Sequence, residues 1–398
     1  MNHHTESFGK FKGVPMLRLF SADDHIIEHA TVWSDRLPEK YRAIGPHVLD
    51  DGDHEVWVYE DRKGTTMGLN AVVGRPKEEL SLDPIRFSDM RAGCYDPRER
   101  ANDMLADGIF ASILFPTLPR FAGTLFIEFK DKELADLSVR AYNDFVIDEW
   151  CPAGPPGMFV PTIIVQLWDP ELAAREIYRC AALGARALSF PENTVPLGLP
   201  SYFSDHWDPV WRACEETGVV LCLHIGTSGQ IPDPSPDAFE MLGFSLLQVG
   251  SIMSSVNLMM SPVCRKFPKI KFVFSEGGIG WLPNAIERAD RMWLRHQYYN
   301  KLDDILPSEI FRQNMYLCMI EEPVCLTFRD LIGVDRIMWE CDYPHTDTTW
   351  PDSQEVTESI FAQAKVPQDE IDLITHGNAE RVFRWKMADL EPAGFGAT

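Results

Sequence analysis

Eight short apolar runs recur along the chain with helix-like stretches between most of them, and this alternation limits the possible folds more than any other feature. The runs occupy 16–22 (MLRLFSA), 109–116 (IFASILFP), 159–167 (FVPTIIVQL), 185–190 (ARALSF), 219–224 (VVLCLH), 270–275 (IKFVFS), 315–320 (MYLCMI) and 336–341 (RIMWEC). Apolar runs of this length, alternating with helical patterns, predict parallel strands joined by helical crossovers. The helix over 170–183 carries its own punctuation, with Asp169 as N-cap, Pro170 in the first turn and Gly184 as terminator. The segment 208–217 has the same Asp-Pro start, with Gly218 behind it. Eight such units predict one distorted (β/α)8 barrel, and a chain of 398 residues with 45% hydrophobic content can fill its core. A doubly wound sheet is the alternative. It gives no reason for ligand-type residues to stand at the ends of the first, fifth, sixth and eighth runs.

The barrel is expected over 16–385, between an N-terminal tail at 1–15 and a loose or partner-bound C-terminal tail at 386–398. Residues 35–95 break the alternation. Glu55-Val56-Trp57-Val58-Tyr59-Glu60 followed by Asp61-Arg62-Lys63-Gly64 reads as a β-hairpin. We read the segment as an insertion after the first strand, a lid or a dimer contact, with Trp57 and Tyr59 either covering the mouth or making a hairpin contact.

A net charge of −23 disfavours nucleic acid and anionic membrane surfaces as partners. Nine cysteines without a CxxC pair suit a reducing, cytoplasmic setting, and Cys222 and Cys341 read as small buried hydrophobes. The N-terminus lacks the apolar core of a secretory signal. The apolar stretch 242–260 is interrupted by Ser245, Gln248, Ser251, Ser254, Ser255 and Asn257, so it is expected to be a buried helix.

The chemistry starts at Asp23 and His25. Two residues apart at the end of a strand, they project to one face and offer an oxygen and an imidazole nitrogen side by side. His224 ends the fifth run, Glu276 follows the sixth and Asp342 follows the eighth. Several segments together resemble the amidohydrolase superfamily, in the branch of aminocarboxymuconate-semialdehyde decarboxylase and the resorcylate-type decarboxylases. They are SADDHIIE at 21–28, YDPRERANDMLADGIFASILFPT at 95–117, HIG at 224–226, FPKIKFVFSEGGIGWLP at 267–283, DYPH at 342–345 and GNAERVF at 377–383. The resemblance spans nearly the whole chain. It implies a metal-bearing barrel with ligands Asp23, His25, His224 and Asp342, and it gives Asp342 a second role in steering a proton.

Two departures from the family pattern stand out. No lysine occurs between Lys132 and Lys266, which excludes a two-metal site bridged by a carbamylated lysine of the fourth strand. Glu276 stands where the decarboxylase pattern has a histidine; it can move a proton if its pKa is raised, or ligate metal. Glu28 is a further candidate ligand and His345 a candidate for proton transfer, substrate orientation or ligation. Arg120 could pair a substrate carboxylate, Phe121 and Trp281 could supply apolar walls, and Gly277, Gly278 and Gly280 read as loop flexibility beside Glu276. The expected cofactor is a divalent transition metal (Zn, Mn or Fe), with one ion expected and two possible. The expected function is metal-dependent hydrolysis or non-oxidative decarboxylation of a small carboxylated, cyclic or aromatic compound by a homo-oligomer, a dimer. The alternatives are a dinuclear Fe or Fe/Mn oxygen-dependent hydroxylase and a non-catalytic subunit of a hetero-oligomer.

Overall fold

Alternation within the strands decides what faces the barrel axis. In Val220–His224, Val220 and Cys222 pack into one buried cluster while Leu221 and Leu223 pack into a second, shared with the surrounding helices. The neighbouring Phe272–Ser275 repeats this, with Val273 in the first cluster and Phe272 and Phe274 in the second. His224 follows the parity of Val220 and Cys222, so it points inward at the C-terminal end of its strand.

The computed structural model describes residues 16–52, 54–235 and 237–389. Its strands are β1 (Leu19–Ile26), β2 (His47–Asp50), β3 (Glu55–Tyr59), β4 (Arg62–Thr65), β5 (Ile109–Pro116), β6 (Phe159–Val160), β7 (Thr162–Ile163), β8 (Ala187–Ser189), β9 (Val220–His224), β10 (Phe272–Ser275), β11 (Met315–Met319) and β12 (Ile337–Trp339). Two parallel sheets, β1-β5-β6 and β7-β8-β9-β10-β11-β12, form the barrel wall. They meet at Pro161, where the third apolar run divides because proline supplies no ladder N–H. At the other seam Asp342 N–H donates to the Asp23 carbonyl at 2.9 Å, and His25 N–H donates to Tyr343 at 2.6 Å. The architecture is a distorted (β/α)8 barrel.

The helix Pro170–Ala182 is capped as expected, with the Asp169 carboxylate accepting from Glu171 and Leu172 N–H at 3.0 Å. In Asp208–Thr217 the aspartate is instead the first helical residue, preceded by a 3-10 turn. The 35–95 insertion contains the antiparallel sheet β2-β3-β4. Trp57 and Tyr59 are buried against Trp33 and Phe129, and Val72 N–H donates to the Pro344 carbonyl at 3.0 Å, so the insertion reaches the barrel rim. Residues 1–15 and 390–398 lie outside the described residues. Of the C-terminal tail, Met387 and Ala388 are buried, and Arg18 donates to the Ala388 carbonyl.

The stretch 242–260 differs from its reading. Met241–Met260 is long and apolar enough to cross a membrane by composition, yet only 22% of it is buried. Its helix Gln248–Met260 turns Ser251, Ser254 and Ser255 inward and leaves Met253 58% exposed. Ser254 meets a polar loop, its Oγ donating to the Glu192 carbonyl at 2.7 Å, while Leu258 and Met259 of the same helix are buried in the core.

Candidate metal centre

Asp23 and His25 leave β1 where its pairing with β5 is irregular, between Ser21 and Asp24, and such irregularities re-aim side chains. His224 ends β9, and its strand partner in β10 is Ser275, so Glu276 emerges directly beside it. Asp342 and His345 come from the turn after β12. Glu276 and Asp342 adopt left-handed backbone conformations, φ +57° and +61°, as does Phe121 at +48°. Non-glycine residues seldom do so, and such strain collects at functional sites.

These elements converge on a small volume. His25 Nε2 lies 3.1 Å from His224 Nε2, 3.3 Å from Asp23 Oδ1 and 3.4 Å from Asp342 Oδ1. His224 Nε2 is 3.5 Å from Asp23 Oδ2 and 3.2 Å from Glu276 Oε2, and His345 Nδ1 is 3.0 Å from Asp342 Oδ1. Asp23, His25 and His224 form one group with metal-ligand spacing, and His25, Asp342 and His345 form another. His224 Nδ1 lies 2.6 Å from the Ile225 carbonyl, a bond that requires the proton there and leaves a lone pair on Nε2.

The donor set fits a divalent cation. Both carboxylate oxygens of Asp23 and of Asp342 are buried without a hydrogen-bond donor, as is His345 Nε2. Unsatisfied buried carboxylates are costly unless a cation faces them. Burial, reinforced by Glu340, Asp342 and Glu276, pushes the Asp23 carboxyl well above the usual range. Burial does the same to Glu276 and Asp342, with Asp347 adding to both. Burial holds His224 and His345 down at about 3 and His25 well below its usual value. Neutral imidazoles and carboxylates starved of positive charge suit Zn²⁺, Mn²⁺ or Fe²⁺.

A second set of buried acids holds the loops that carry the first. Glu340 accepts the Glu276 N–H at 3.2 and 3.1 Å, and Glu322 accepts the Ile279 N–H at 3.0 and 3.1 Å. Glu192 accepts Gly226 N–H and Ser228 Oγ, each at 2.9 Å, just beyond His224. Glu28 accepts Thr117 and Leu118 N–H at 3.0 and 2.8 Å, so both of its oxygens are engaged away from the histidine cluster. Asp24 faces opposite to Asp23 and His25, where it accepts from Ser21 Oγ and Tyr343 N–H. Buried Arg100 donates to the His25 carbonyl at 2.5 Å and stacks over Tyr343. Sequence reasoning passed over Glu192, Glu322, Glu340, Asp24 and Arg100. Glu192 and Glu322 stand two residues beyond apolar runs and Glu340 inside one, so the signal that singled out Glu276, an acid directly after a run, did not reach them.

The remaining candidates divide. Phe121 lies against the cluster, its ring 4.5 Å from that of His25 and 4.7 Å from that of His224. Arg120 turns outward, half-exposed, and pairs with Glu128. Trp281 donates to the Gly277 and Gly278 carbonyls and lines an outer groove with Ile252 and Val256. The glycines beside Glu276 serve close approach rather than flexibility. A Cβ at Gly277 would lie 1.9 Å from Ser251 Oγ, and one at Gly280 would lie 2.3 Å from Cys325 Sγ.

Comparison with known proteins agrees with this geometry. The family model described as amidohydrolase matches residues 29–385. A γ-resorcylate decarboxylase of Polaromonas sp. is 26% identical over 273 residues, covering 64% of this chain and 78% of that protein. An amidohydrolase of Mycobacterium avium subsp. paratuberculosis superposes with a TM-score of 0.72 at 23% identity, over 92% of this chain and 99% of the other. A 5-carboxyvanillate decarboxylase of Sphingomonas paucimobilis gives 0.61 at 23% identity, over 93% and 100%. A dihydroxybenzoic acid decarboxylase of Polaromonas sp., solved with manganese and 2-nitroresorcinol, gives 0.58 at 19% identity, over 93% and 97%. With a family match across most of its length and inward-facing ligand-type residues at the strand ends, the chain belongs to the amidohydrolase family.

Proposed function

We propose that this protein is a metal-dependent, non-oxidative decarboxylase of a hydroxylated aromatic carboxylate, working as a homo-oligomer. The observation that carries the proposal is the pair of facing imidazole nitrogens 3.1 Å apart, flanked by Asp23 and Asp342 carboxylates that have no donor. Asp23, His25, His224 and Asp342 would hold the cation. When bound, it would neutralise and orient substrate oxygens as a Lewis acid. Phe121 gives an apolar surface against which an aromatic ring can lie. Glu276 differs from the acids around it in being reachable: its side chain is 16% exposed, while those of Asp23 and Asp342 are fully buried. Burial holds its carboxyl well above the usual carboxylate range, and it is placed to deliver a proton. The ring–carboxylate C–C bond breaks heterolytically, its electron pair stays on the ring carbon, that carbon takes the Glu276 proton, and carbon dioxide leaves. Asp342, 3.0 Å from His345 Nδ1, and His345 provide a route to reprotonate the site.

A dinuclear oxygen-dependent hydroxylase is the second reading, favoured by the approach of Glu276 to 3.2 Å from His224 and of His345 to Asp342. That geometry enlarges the donor set to three carboxylates and three histidines. Anaerobic assay of a panel of hydroxybenzoates, 2,6-dihydroxybenzoate included, with protein loaded with Mn²⁺ or Zn²⁺ separates the two. Carbon dioxide release without dioxygen is the expected result. Turnover that needs dioxygen and two equivalents of iron would replace the decarboxylase by the hydroxylase.

A further inference from the structure

We propose that Asp103, oriented by Arg91, is a positioning residue for the metal centre: by holding the hydroxyl of Tyr343 it sets the place of Asp342. The inference rests on the metal-centre reading above and not on which bond the enzyme breaks. His224 has its ring fixed by the Ile225 carbonyl, whereas neither carboxylate oxygen of Asp342 has a hydrogen-bond donor. The place of Asp342 therefore follows from its backbone. That backbone is left-handed, φ +61°, a conformation that a non-glycine residue keeps only where its surroundings over-determine it. Tyr343, the next residue, is fully buried and held at each of its polar atoms. Its N–H donates to Asp24 Oδ1 at 3.0 Å, its carbonyl accepts from His25 N–H at 2.6 Å, and its hydroxyl donates to Asp103 Oδ2 at 2.7 Å.

The hydroxyl contact is built from several sides. Asp103 is 5% exposed, and a buried carboxylate requires a partner. Arg91 supplies a forked one, with Nε and Nη2 each donating at 2.6 Å to Oδ2 and Oδ1. The fork fixes the carboxylate plane, and with it the direction of the oxygen that receives Tyr343. The Arg91 guanidinium lies 4.6 Å from the Trp350 ring centre, and Trp350 Nε1 donates to the Asp103 carbonyl at 3.1 Å. Gly93 makes the room: a Cβ there would lie 2.4 Å from both Asp103 Oδ2 and the Tyr343 hydroxyl oxygen. Arg91 and Gly93 belong to the 35–95 insertion, Asp103 to the helix Pro97–Ala106, and Tyr343 to the turn after β12. The insertion thus takes part in setting a metal ligand as well as reaching the barrel rim.

The test is titration of chelator-treated, full-length protein with Mn²⁺ alone, followed by calorimetry. Tyr343→Phe removes one oxygen and leaves the Arg91–Asp103 pair intact, so circular dichroism should be unchanged. Its Mn²⁺ dissociation constant should rise about tenfold, as for other residues that orient metal ligands. The electron paramagnetic resonance spectrum of bound Mn²⁺, which reads the ligand geometry, should change as well. Tyr41→Phe deletes the same kind of bond in another part of the molecule, where the phenol donates to Glu133 at 2.9 Å, and should alter neither readout. Asp103→Asn breaks the fork at constant volume and should also weaken Mn²⁺ binding. The Asp103→Asn/Tyr343→Phe double variant should bind within about twofold of the weaker single variant, because both changes fall on one bond. A Tyr343→Phe protein with the wild-type affinity or the wild-type spectrum overturns the inference. Losses that multiply in the double variant do the same, as does an equal loss in Tyr41→Phe. A wild type that binds no Mn²⁺ would overturn the metal-centre reading, and this inference with it.

Discussion

Gly277→Ala is the sharpest test of how tightly the strand-six loop is held. The new Cβ would lie 1.9 Å from Ser251 Oγ and 2.6 Å from Ser251 Cβ. The hydroxyl can rotate aside, but the Cβ cannot, and favourable carbon–carbon contact begins near 3.5 Å. Loop and helix must therefore separate by roughly 1 Å at a point where Ser251 is buried, an overpacking that costs about 1–3 kcal/mol. Because Gly277 follows Glu276, the same displacement loosens the carboxyl beside His224. Urea unfolding at fixed metal concentration reads the cost. Ser251→Gly alone should cost about 0.5 kcal/mol in helix propensity, and in the double variant it removes the clash. The double variant should thus lose about 0.5 kcal/mol rather than the sum of the single losses, a coupling of about 1–3 kcal/mol. Ser251→Ala should not rescue, because its Cβ remains. A Gly277→Ala protein as stable as the wild type, or equal rescue by Ser251→Ala and Ser251→Gly, would refute the reasoning.

Other consequences can be checked directly. Asp342→Asn should lower turnover at least 100-fold with the fold intact by circular dichroism, as removal of a metal-facing, proton-steering carboxylate requires; retained activity would count against the proposed site. Adding Mn²⁺ at 100 times its dissociation constant to chelator-treated protein should raise stability by about 2.7 kcal/mol, read by denaturant unfolding, and Asp23→Asn should abolish most of the gain. Burial raises the Asp107 carboxyl from 3.8 to about 8, so the folded protein holds a proton that the unfolded chain releases. Stability should therefore fall as pH rises from 4 to 8, by up to about 1.4 kcal/mol per pH unit from this group, and then level off. Asp107→Asn retains an acceptor for Ser353 N–H, so it should be more stable than the wild type at pH 8, with the gap closing towards pH 4. Glu340→Ala removes the acceptor for Glu276 N–H and should reduce turnover while metal content, measured by elemental analysis, stays near the wild-type value.

The sequence by itself determined the barrel and the inward direction of its ligands. Strand periodicity is local: a run such as 219–224 carries its own parity, so His224 inherits the direction of Val220 and Cys222 whatever surrounds it. The Asp23-x-His25 pair is legible for the same reason. Helix punctuation at Asp169 and Gly184 is equally local, and the Asp208 start differed only by the 3-10 turn before it. What the sequence left open involves choices between chemically identical groups. Glu28, Glu192, Glu276, Glu322 and Glu340 are all acids at or just beyond strand ends. Only the packing of neighbouring loops decides which of them spend their oxygens on backbone N–H groups and which one, Glu276, remains beside His224. The Met241–Met260 stretch shows the same limit. Its composition says apolar helix, but which residues turn inward depends on what the neighbouring elements offer: Leu258 and Met259 enter the core, while Ser254 meets the backbone of Glu192. Hydrophobic pattern is a property of the chain; the partner of a buried polar group belongs to the assembled fold.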